Sequence, residues 1–543
     1  MENIKKYRMK GMKLFIIPVM VFTLMISSCE DLIDLRPFSQ IDETSAFSTA
    51  SLVELSVVGM YQAAQRGDYG GNLRGYPWGS AFVQQGDCRG EDVVNRITFY
   101  QLTYAATYDP GTANNVWWWS DSYRLINRCN IVLNGVQEAA DNGVITQAKA
   151  DQYKGEALLF RAITHFELLI HFARPFPHTP DASHPGVPYR ETAYTTQDAL
   201  DAGMEQGRNT VADCYTKVLA DLDLAEQYLP TRNQRGGGKE GLVRSTKQAA
   251  AAFKTRVYMH KWEWANVIAE ASKFLTGGVY AGSYSLPANP GTTFLDSYGN
   301  SESIFSLENS GTNNPGVNAA LASQYKRRTL VLISPIIWKD PVWLFDDERR
   351  SRTTESTVPG IEMVYNVSSR MYTNKYKDVT NYEDASPLIR YAEVLLNIAE
   401  AYCRTATPTG APDANALMYL NMVRDRSLAN PPTQSYTVAD FADNIALLGA
   451  LLKERRIEFV MEGRRWPDIH RLQFCPHYPI DGIPAKLSNA SPPTSAYVLD
   501  GNPYTGTLGI TAIPYSDYRF LWPIPRVETD ANPTLAAEQN PGW

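Results

Sequence analysis

Charged side chains lie on an otherwise apolar helix near the C-terminus, and their chemistry has two interpretations. The segment reads KERRIEFVMEGRRW, residues 453–466. Helical spacing places Arg455 and Glu462 on one stripe with leucine and phenylalanine, and a second apolar stripe lies beside it. Such a helix is mostly buried, and a buried charge is costly unless it is paired. An active site is one interpretation, but the pattern favours an interior ion-pair network of Arg455, Glu458 and Glu462 that fixes the register of packed helices.

Aromatic side chains in loops are the second group with a chemical use, and that use is binding. The chain has 11 Trp and 31 Tyr. Their flat rings match the C–H faces of sugars at little entropy cost, while Asn, Asp and Arg satisfy the hydroxyls. Most rings in predicted helices belong to the core. Rings in the loop-rich regions 67–111 and 277–384 are candidate ligand contacts. Side-chain chemistry and position in these regions together give the candidates Arg74, Tyr76, Trp78, Tyr298, Asn314 and Trp338, and Asn313 is a further amide that could donate or accept hydrogen bonds.

The motifs of common enzyme classes are missing from the sequence. There is no HExxH, GxSxG, Walker loop or GxGxxG. No CxxC pair occurs, and the five cysteines after Cys29 are an odd number, so neither a zinc site nor a disulfide framework is indicated, although one disulfide is possible. The sequence therefore predicts no catalytic residues, no metal and no cofactor. A glycosidase needs only two carboxylates, so that class stays open as an alternative.

The size and net charge of the chain limit the classes of partner that it is expected to bind. The chain has 543 residues, of which 44% are hydrophobic and 20% charged, which is ordinary for a globular protein. Its formal net charge is −7, and it has no basic run outside the N-terminus. Nucleic-acid binding depends mainly on phosphate neutralisation, so no nucleic-acid partner is expected.

The N-terminus carries a targeting signal. Basic residues up to Lys13 precede an apolar run, residues 14–26, that is too short to span a bilayer. The run ends in Ile-Ser-Ser-Cys, which resembles a bacterial lipobox. We expect residues 1–28 to be removed as a lipoprotein signal peptide and Cys29 to carry the lipid anchor. An ordinary cleaved signal peptide is the alternative.

Amphipathic patterns predict the elements that position these groups. Helices are expected at about 46–65, 117–136, 152–172, 210–230, 387–402 and 414–427, with a helical hairpin over about 246–275. Gly463 is expected to end the 453–466 helix, and Pro467 to hold Trp466 extended. The helical scaffold thus covers about 40–275 and 386–466, with the loop-rich regions on its ligand side.

Several segments resemble one protein family in its order of motifs. They are GEALLFRAITHFELLIHFARPFP, ERRIEFVMEGRRWPDIHRL and the terminal RFLWPIPRVETDANPTLAAEQNPGW. Together they resemble the SusD/RagB family, the outer-membrane nutrient-binding lipoproteins of Bacteroidetes. One departure stands out: Ala173-Arg174 occupies a turn where that family usually has glycine.

The resemblance implies a fold, a function and partners. The fold would be mostly α, with four tetratricopeptide-like helix pairs and a loop-rich subdomain, and residues 29–543 would form one domain. The protein would be lipid-anchored on the outer membrane facing the cell exterior, where it would bind an oligosaccharide or polysaccharide and deliver it to a SusC-like TonB-dependent transporter. Alternatives are the peptide-binding branch of the family, a surface glycoside hydrolase, and a tetratricopeptide scaffold that binds only proteins.

Overall fold

The computed structural model describes residues 43–67, 74–355 and 360–543. The predicted signal peptide and the lipid anchor Cys29 lie outside the described residues. About half of the chain is helical, and the strands are few and short, so the prediction of a mostly α fold is confirmed. A membrane-spanning helix is not found in these three ranges.

The first helical part runs from residue 43 to residue 272. Its helices are α1 (Glu43–Ala46), α2 (Ala50–Arg66), α3 (Ala81–Cys88), α4 (Gln101–Ala105), α5 (Ala113–Asp141), α6 (Gln147–Phe172), α7 (Gln197–Met204), α8 (Val211–Tyr228), α9 (Glu240–Val243), α10 (Lys247–Lys261) and α11 (Trp264–Ser272). The predicted helices in this part are all present, and α10 and α11 form the predicted hairpin.

The second helical part follows an irregular segment whose described residues include the short helices α12 (Thr292–Leu295) and α13 (Pro335–Trp338) and a π-helical turn, Ala322–Arg327. Its helices are α14 (Tyr391–Thr405), α15 (Ala414–Asp425), α16 (Pro431–Gln434), α17 (Asn444–Glu458), α18 (Arg465–Arg471), α19 (Arg526–Ala531) and α20 (Pro533–Ala537).

Short strands tie the irregular segment to its surroundings. They are β1 (Val93–Asn95), β2 (Ser303–Leu307), β3 (Val331–Ile333), β4 (Arg352–Thr353), β5 (Val364–Val367), β6 (Arg370–Thr373) and β7 (Ser386–Arg390). β1 pairs with β3 and β2 with β7, both antiparallel, and β5 lies between β4 and β6. The residues before Tyr391, predicted as helix, are therefore strand β7, because Pro387 is a poor helix residue and the segment completes a ladder with β2.

Threonine side chains set the starts of several long helices. Thr49, Thr146, Thr210 and Thr246 each accept a hydrogen bond from the backbone N–H three residues later, at 3.1–3.3 Å. Each bond satisfies one of the backbone donors left free at a helix N-terminus, which stabilises the helix by about 1 kcal/mol. The polar residues that precede the apolar runs thus specify where the scaffold helices begin.

Helix α6 is the centre of the first part. It packs against α5 and α8, and nearly all of its residues from Gly155 to Phe172 are buried. Its buried Arg161 makes two bonds to Asp221 of α8, at 2.6 and 2.7 Å, and one to Asn130 of α5 at 2.9 Å. Layered packing continues through α10, α11 and α14 to α15 and α17. Whether these pairs have tetratricopeptide geometry, and whether residues 29–543 form one domain, stay predictions.

An interior charge network joins the irregular segment to the second helical part. Five basic and five acidic side chains, all buried, take part: Arg349, Lys375, Arg390, Arg424 and Arg426 with Glu302, Asp347, Glu454, Glu458 and Glu462. Burial acts to raise the pKa of Glu458, but Arg390, Arg426 and Arg349 outweigh it and hold that pKa well below its ordinary value. The prediction that Glu458 and Glu462 belong to a buried network is confirmed.

Arg455 belongs to a second buried group beside the first. Its guanidinium contacts Asp468 at 3.0 Å and Asn397 at 2.6 Å, and Arg471 joins Asp468 to Glu400. Arg455 and Glu458 are both buried, and Lys375 and Arg390 of the first group border a small cavity of about 20 Å³.

The end of helix α17 differs from the expectation. The helix stops at Glu458, and Met461 and Gly463 both have positive φ angles, 66° and 73°. Trp466 is not extended but lies at the start of α18, with Pro467 in its first turn, where proline is tolerated. The reason is local: turning the chain at 459–463 lets Lys375 bond the carbonyls of Glu458 and Val460 at 2.9 and 3.0 Å.

Candidate ligand-binding site

Two of the predicted ligand contacts, Tyr76 and Trp78, are core residues. Both are wholly buried. The indole N–H of Trp78 donates to Thr164 at 3.0 Å, and its backbone N–H donates to Ala64 at 3.0 Å. Gly75, with φ 77°, turns the segment back against the end of α2. The prediction that these two rings contact a ligand is wrong, because the glycine-rich segment folds inward as a turn.

Trp338 is also misassigned. It is wholly buried at the end of α13, and its indole N–H donates to the Tyr497 carbonyl at 3.1 Å. The guanidinium of Arg350 lies 4.9 Å from its ring centroid, and the ring of Trp343 lies 5.5 Å away. Because its indole N–H is hydrogen-bonded and the ring is packed inside the protein, Trp338 cannot contact a sugar.

The segment GDCRGED, residues 86–92, is buried as well. Glu91 pairs with Arg465 at 2.5 Å and with Arg456 at 2.9 Å. Burial acts to raise the pKa of Glu91, and these two arginines hold it at about 2. The interpretation of this segment as a structural turn therefore replaces that of a transporter contact.

The remaining predicted residues, Arg74, Asn314 and Tyr298, are half-buried. Arg74 precedes Gly75, where a Cβ atom would lie 3.2 Å from Pro315, the neighbour of Asn314. The Arg74 guanidinium lies 5.2 Å from the Phe99 ring centroid. The amide of Asn314 donates to the Ser310 carbonyl at 2.7 Å and to Asn381 at 3.1 Å. These bonds hold loops 308–318 and 378–384 together as one platform.

The hydroxyl of Tyr298 also links the two loops of that platform. Its hydroxyl contacts the Asn309 and Glu383 carbonyls at 3.0 and 2.8 Å and accepts from the Asn309 N–H at 2.8 Å. Burial raises the pKa of this phenol. The Lys239 ammonium lies 4.8 Å from the ring centroid, so the ring is half-buried and partly covered.

A groove of about 290 Å³ lies between helix α2 and the platform. Its walls combine exposed or half-exposed polar groups with one aromatic ring: Gln62, Glu240, Arg244, Glu308, Ser310, Asn313 and Tyr61. The platform is anchored to α2, because buried Gln65 donates to Asn309 at 2.8 Å and to the Asn313 carbonyl at 2.7 Å, and Arg66 donates to the Asn313 side chain at 3.0 Å.

The charges around the groove are paired at its base. Arg244 bonds Glu156 at 2.9 Å and lies 5.0 Å from the Tyr61 ring centroid, and the Tyr61 hydroxyl donates to Glu156 at 2.7 Å. Burial acts to raise the pKa of Glu156, but Arg244 and Arg235 lower it to about 2. At the rim, Lys239 pairs with Glu308 at 2.5 Å. The groove therefore presents amides, hydroxyls and balanced charges rather than one strong charge.

This chemistry suits a neutral polyhydroxylated ligand. Amide and hydroxyl groups can exchange hydrogen bonds with sugar hydroxyls, and Tyr61 and the aliphatic Val58 supply apolar contact. Within the described ranges, no group of three or more His, Cys, Asp or Glu side chains is placed to hold a metal. Glu308 at the rim pairs with Lys239, and Glu156 at the base pairs with Arg244 and Arg235.

Sequence reasoning missed the helix side of the groove. Gln62, Gln65 and Arg244 lie on helices or at their ends, and helical residues were taken as scaffold. The polar segment LENSGTNN after the apolar SIFSL was the available signal for the platform, and it yielded Asn313 and Asn314. Exposure of one helical turn toward a distant loop has no signature in the local sequence.

Comparisons with known proteins agree on a single family. A model described as "SusD family" matches residues 343–543, and one described as "Starch-binding associating with outer membrane" matches residues 33–259. The chain belongs to the SusD/RagB family. Among its relatives, SusD-like protein P2 of Formosa agariphila is 22% identical over 508 residues, which cover 85% of this chain and 91% of the relative.

Solved structures share the fold of this SusD/RagB family member. A SusD superfamily protein from Bacteroides fragilis has a TM-score of 0.71 and 27% identity, covering 90% of this chain and 99% of its own. A second from Bacteroides thetaiotaomicron has a TM-score of 0.70 and 23% identity, covering 91% and 100%. A "putative sugar binding protein" from Bacteroides vulgatus has a TM-score of 0.67 and 25% identity, covering 91% and 99%.

Proposed function

We propose that this protein binds a glycan in the groove between helices α2 and α9 and loop 308–318. The groove carries the proposal, because helix α2 contributes Tyr61 and Gln62 to its walls and the loop contributes Ser310 and Asn313, so that amides, a hydroxyl and a tyrosine ring surround one cavity. Family descriptions support a carbohydrate ligand and association with the outer membrane. The protein acts by binding, without catalysis.

The finer parts of the function follow from the targeting sequence and the family. Cys29 carries the lipid anchor, and the protein faces the cell exterior. It passes oligosaccharide to a SusC-like TonB-dependent transporter and associates with that barrel. Co-purification of a barrel from detergent-solubilised outer membranes tests this association, and its failure under conditions that retain the lipoprotein would refute it.

Glycan binding is tested by affinity electrophoresis and calorimetry across a polysaccharide and oligosaccharide panel. Gln62→Ala and Asn313→Ala each remove one neutral hydrogen-bonding group, so each is expected to weaken binding about threefold to tenfold. Gln197→Ala, in an exposed helix start away from the groove, is the matched control and leaves binding unchanged. Unchanged affinity in both groove variants would defeat the site.

Two other outcomes would replace the proposal. Binding of oligopeptides with no sugar binding would favour the peptide-binding branch of the family. Hydrolysis of a polysaccharide by the purified protein, abolished by removal of one carboxylate, would make it an enzyme.

A further inference from the structure

A second cavity is formed by parts of the chain that are distant in sequence from those that form the groove. Glycan binding in the groove gives this cavity no role. It has a volume of about 750 Å³ and is formed by the chain after α6, the residues around Arg208, and the C-terminal segments 515–521 and 537–541. It shares no lining residue with the groove. The half-buried ring of Tyr515 and the exposed imidazole of His178 line it.

Arg174 gives this cavity its chemistry. The guanidinium lies 4.5 Å from the Tyr515 ring centroid and 5.3 Å from that of Phe520, so it stacks on aromatic rings. Its Nη1 donates to the Tyr515 carbonyl. Among the described residues, no carboxylate lies within 4.0 Å of the Arg174 guanidinium; Tyr515 is its side-chain hydrogen-bond partner, and Asp517 acts on it electrostatically at longer range. The half-buried guanidinium therefore lines the cavity without a carboxylate paired to it.

A second arginine, Arg208, adds positive charge to the cavity, and its guanidinium is not paired with a carboxylate of the described residues. The Arg208 guanidinium donates to the carbonyls of Gly186 at 2.7 Å and Glu538 at 2.9 Å, and to the Asn540 side chain at 2.9 Å. Burial lowers the pKa of Arg208 to about 10, so it is still protonated at neutral pH. The Glu538 carboxylate accepts from the Arg208 backbone N–H at 2.5 Å and offsets one of the two positive charges.

Polar neighbours complete a recognition surface for hydroxyls. The Tyr515 hydroxyl lies 2.9 Å from His178 Nδ1. Burial, His184 and Arg174 together lower the pKa of His178, so the imidazole is neutral at pH 7 and orients the tyrosine. Ser183 and Ser516 line the same cavity and supply further hydroxyl groups.

We propose that this cavity binds a carboxylate-bearing sugar residue, a uronic acid, with its carboxylate on the Arg174 guanidinium and its ring beside Tyr515. Guanidinium groups pair bidentately with carboxylates, and an aromatic ring offers a face for sugar C–H groups. The inference rests on the proposed function only in taking the ligand to be a glycan.

The test uses titration calorimetry and ligand-observed NMR on the folded mature protein. Galacturonic and glucuronic acids and their short oligomers are compared with galactose, glucose and their neutral oligomers. Sodium acetate and sodium sulfate form a third arm, which distinguishes an acidic sugar from a simple anion. The expected result is binding of the uronic acids that exceeds that of both other groups.

Three single-residue variants test whether the uronate binds in this cavity. Arg174→Gln removes the charge at a partly exposed position and is expected to weaken uronate binding tenfold or more, because hydrogen bonds to charged groups are among the strongest. Arg526→Gln removes an exposed arginine that does not line the cavity and is expected to leave binding unchanged. Arg174→Lys keeps the charge without the fork and is expected to recover only part of the affinity.

Three results would overturn the inference. They are no uronate binding, uronate binding that Arg174→Gln leaves unchanged, and acetate or a neutral sugar binding as tightly as the uronate. Gln62→Ala, measured in parallel, reports on the groove alone. Loss of neutral-glycan binding in that variant with uronate binding retained separates the two sites.

Discussion

Replacing Glu458 by glutamine probes the interior network most directly. Three arginines bond this carboxylate: Arg390 at 2.6 Å, Arg426 at 2.7 Å and Arg349 at 2.9 Å. Glutamine has nearly the same shape but no charge, so the balance of five bases and five acids changes to one unmatched positive charge. Removing one partner of a buried ion pair costs about 3–5 kcal/mol, and we expect the free energy of unfolding to fall by that amount.

The magnitude follows from the bonds that change. Hydrogen bonds to a charged group contribute about 1.5–3 kcal/mol each, and glutamine keeps one acceptor oxygen, so the loss is smaller than the sum of three bonds. A matched control is Glu191→Gln, which breaks a 2.7 Å pair with Lys217 in which both side chains are substantially exposed. A surface pair of this kind is worth about 0–1 kcal/mol.

The assay is urea denaturation of the mature chain, followed by tryptophan fluorescence and by far-ultraviolet circular dichroism. Coincident transitions establish that one free energy describes the unfolding. Adding Arg426→Gln to Glu458→Gln restores the charge balance and should recover part of the loss, which appears as a coupling energy. A Glu458→Gln variant within about 1 kcal/mol of the parent, on the same scale as Glu191→Gln, would refute the reasoning.

Three further predictions follow from burial and targeting. Trp78→Ala should destabilise the protein by about 3–5 kcal/mol through loss of a packed core ring while the folded fraction keeps its glycan affinity; reduced affinity at unchanged stability would return Trp78 to the binding site. Arg471 and Arg404 hold the pKa of Glu400 at about 2 against the opposing effect of burial, and Arg455 and Arg471 do the same for Asp468. Because these folded-state pKa values are lowered, the stabilisation is complete above about pH 4.5 and is lost as the pH falls towards 2; the stability difference between the parent and Glu400→Gln should therefore shrink over that range in acid denaturation, and a constant difference would contradict it. Cys29→Ser should move the protein from the membrane fraction to the soluble fraction in cell fractionation, with the neighbouring Ser28→Ala as control; retention of Cys29→Ser in the membrane would exclude the lipid anchor.

The helical part of the fold was open to prediction because its signals are local. Apolar periodicity located α2, α5, α6, α8, α10 and α11 within a few residues. The charges of segment 453–466 also indicated their own burial, since helical spacing placed Arg455 and Glu462 on one stripe with leucine and phenylalanine. In both cases a residue's environment is fixed mainly by its neighbours along the helix.

The binding residues could not be predicted from the sequence, because the surroundings of each side chain in the loops depend on contacts with residues far along the chain. Trp78 and Trp338 occur in segments rich in glycine, serine or proline, yet each points inward to a partner far along the chain, Thr164 for one and Tyr497 for the other. Arg174 was treated as a minor change in a turn, and the cavity that it lines forms only when the C-terminal segment supplies Tyr515. Loop composition therefore identified the face but not the side chains that reach it.

The charge-balanced interior has an evolutionary consequence. A mutation at Glu302, Arg390 or Glu458 leaves an unmatched charge in the core, so related chains should keep these residues together or exchange them in compensating sets. The side chains that line the groove and the cavity carry no such mutual dependence and are free to vary one at a time. Lineages can thus acquire new nutrients by drift at the surface while the interior stays fixed.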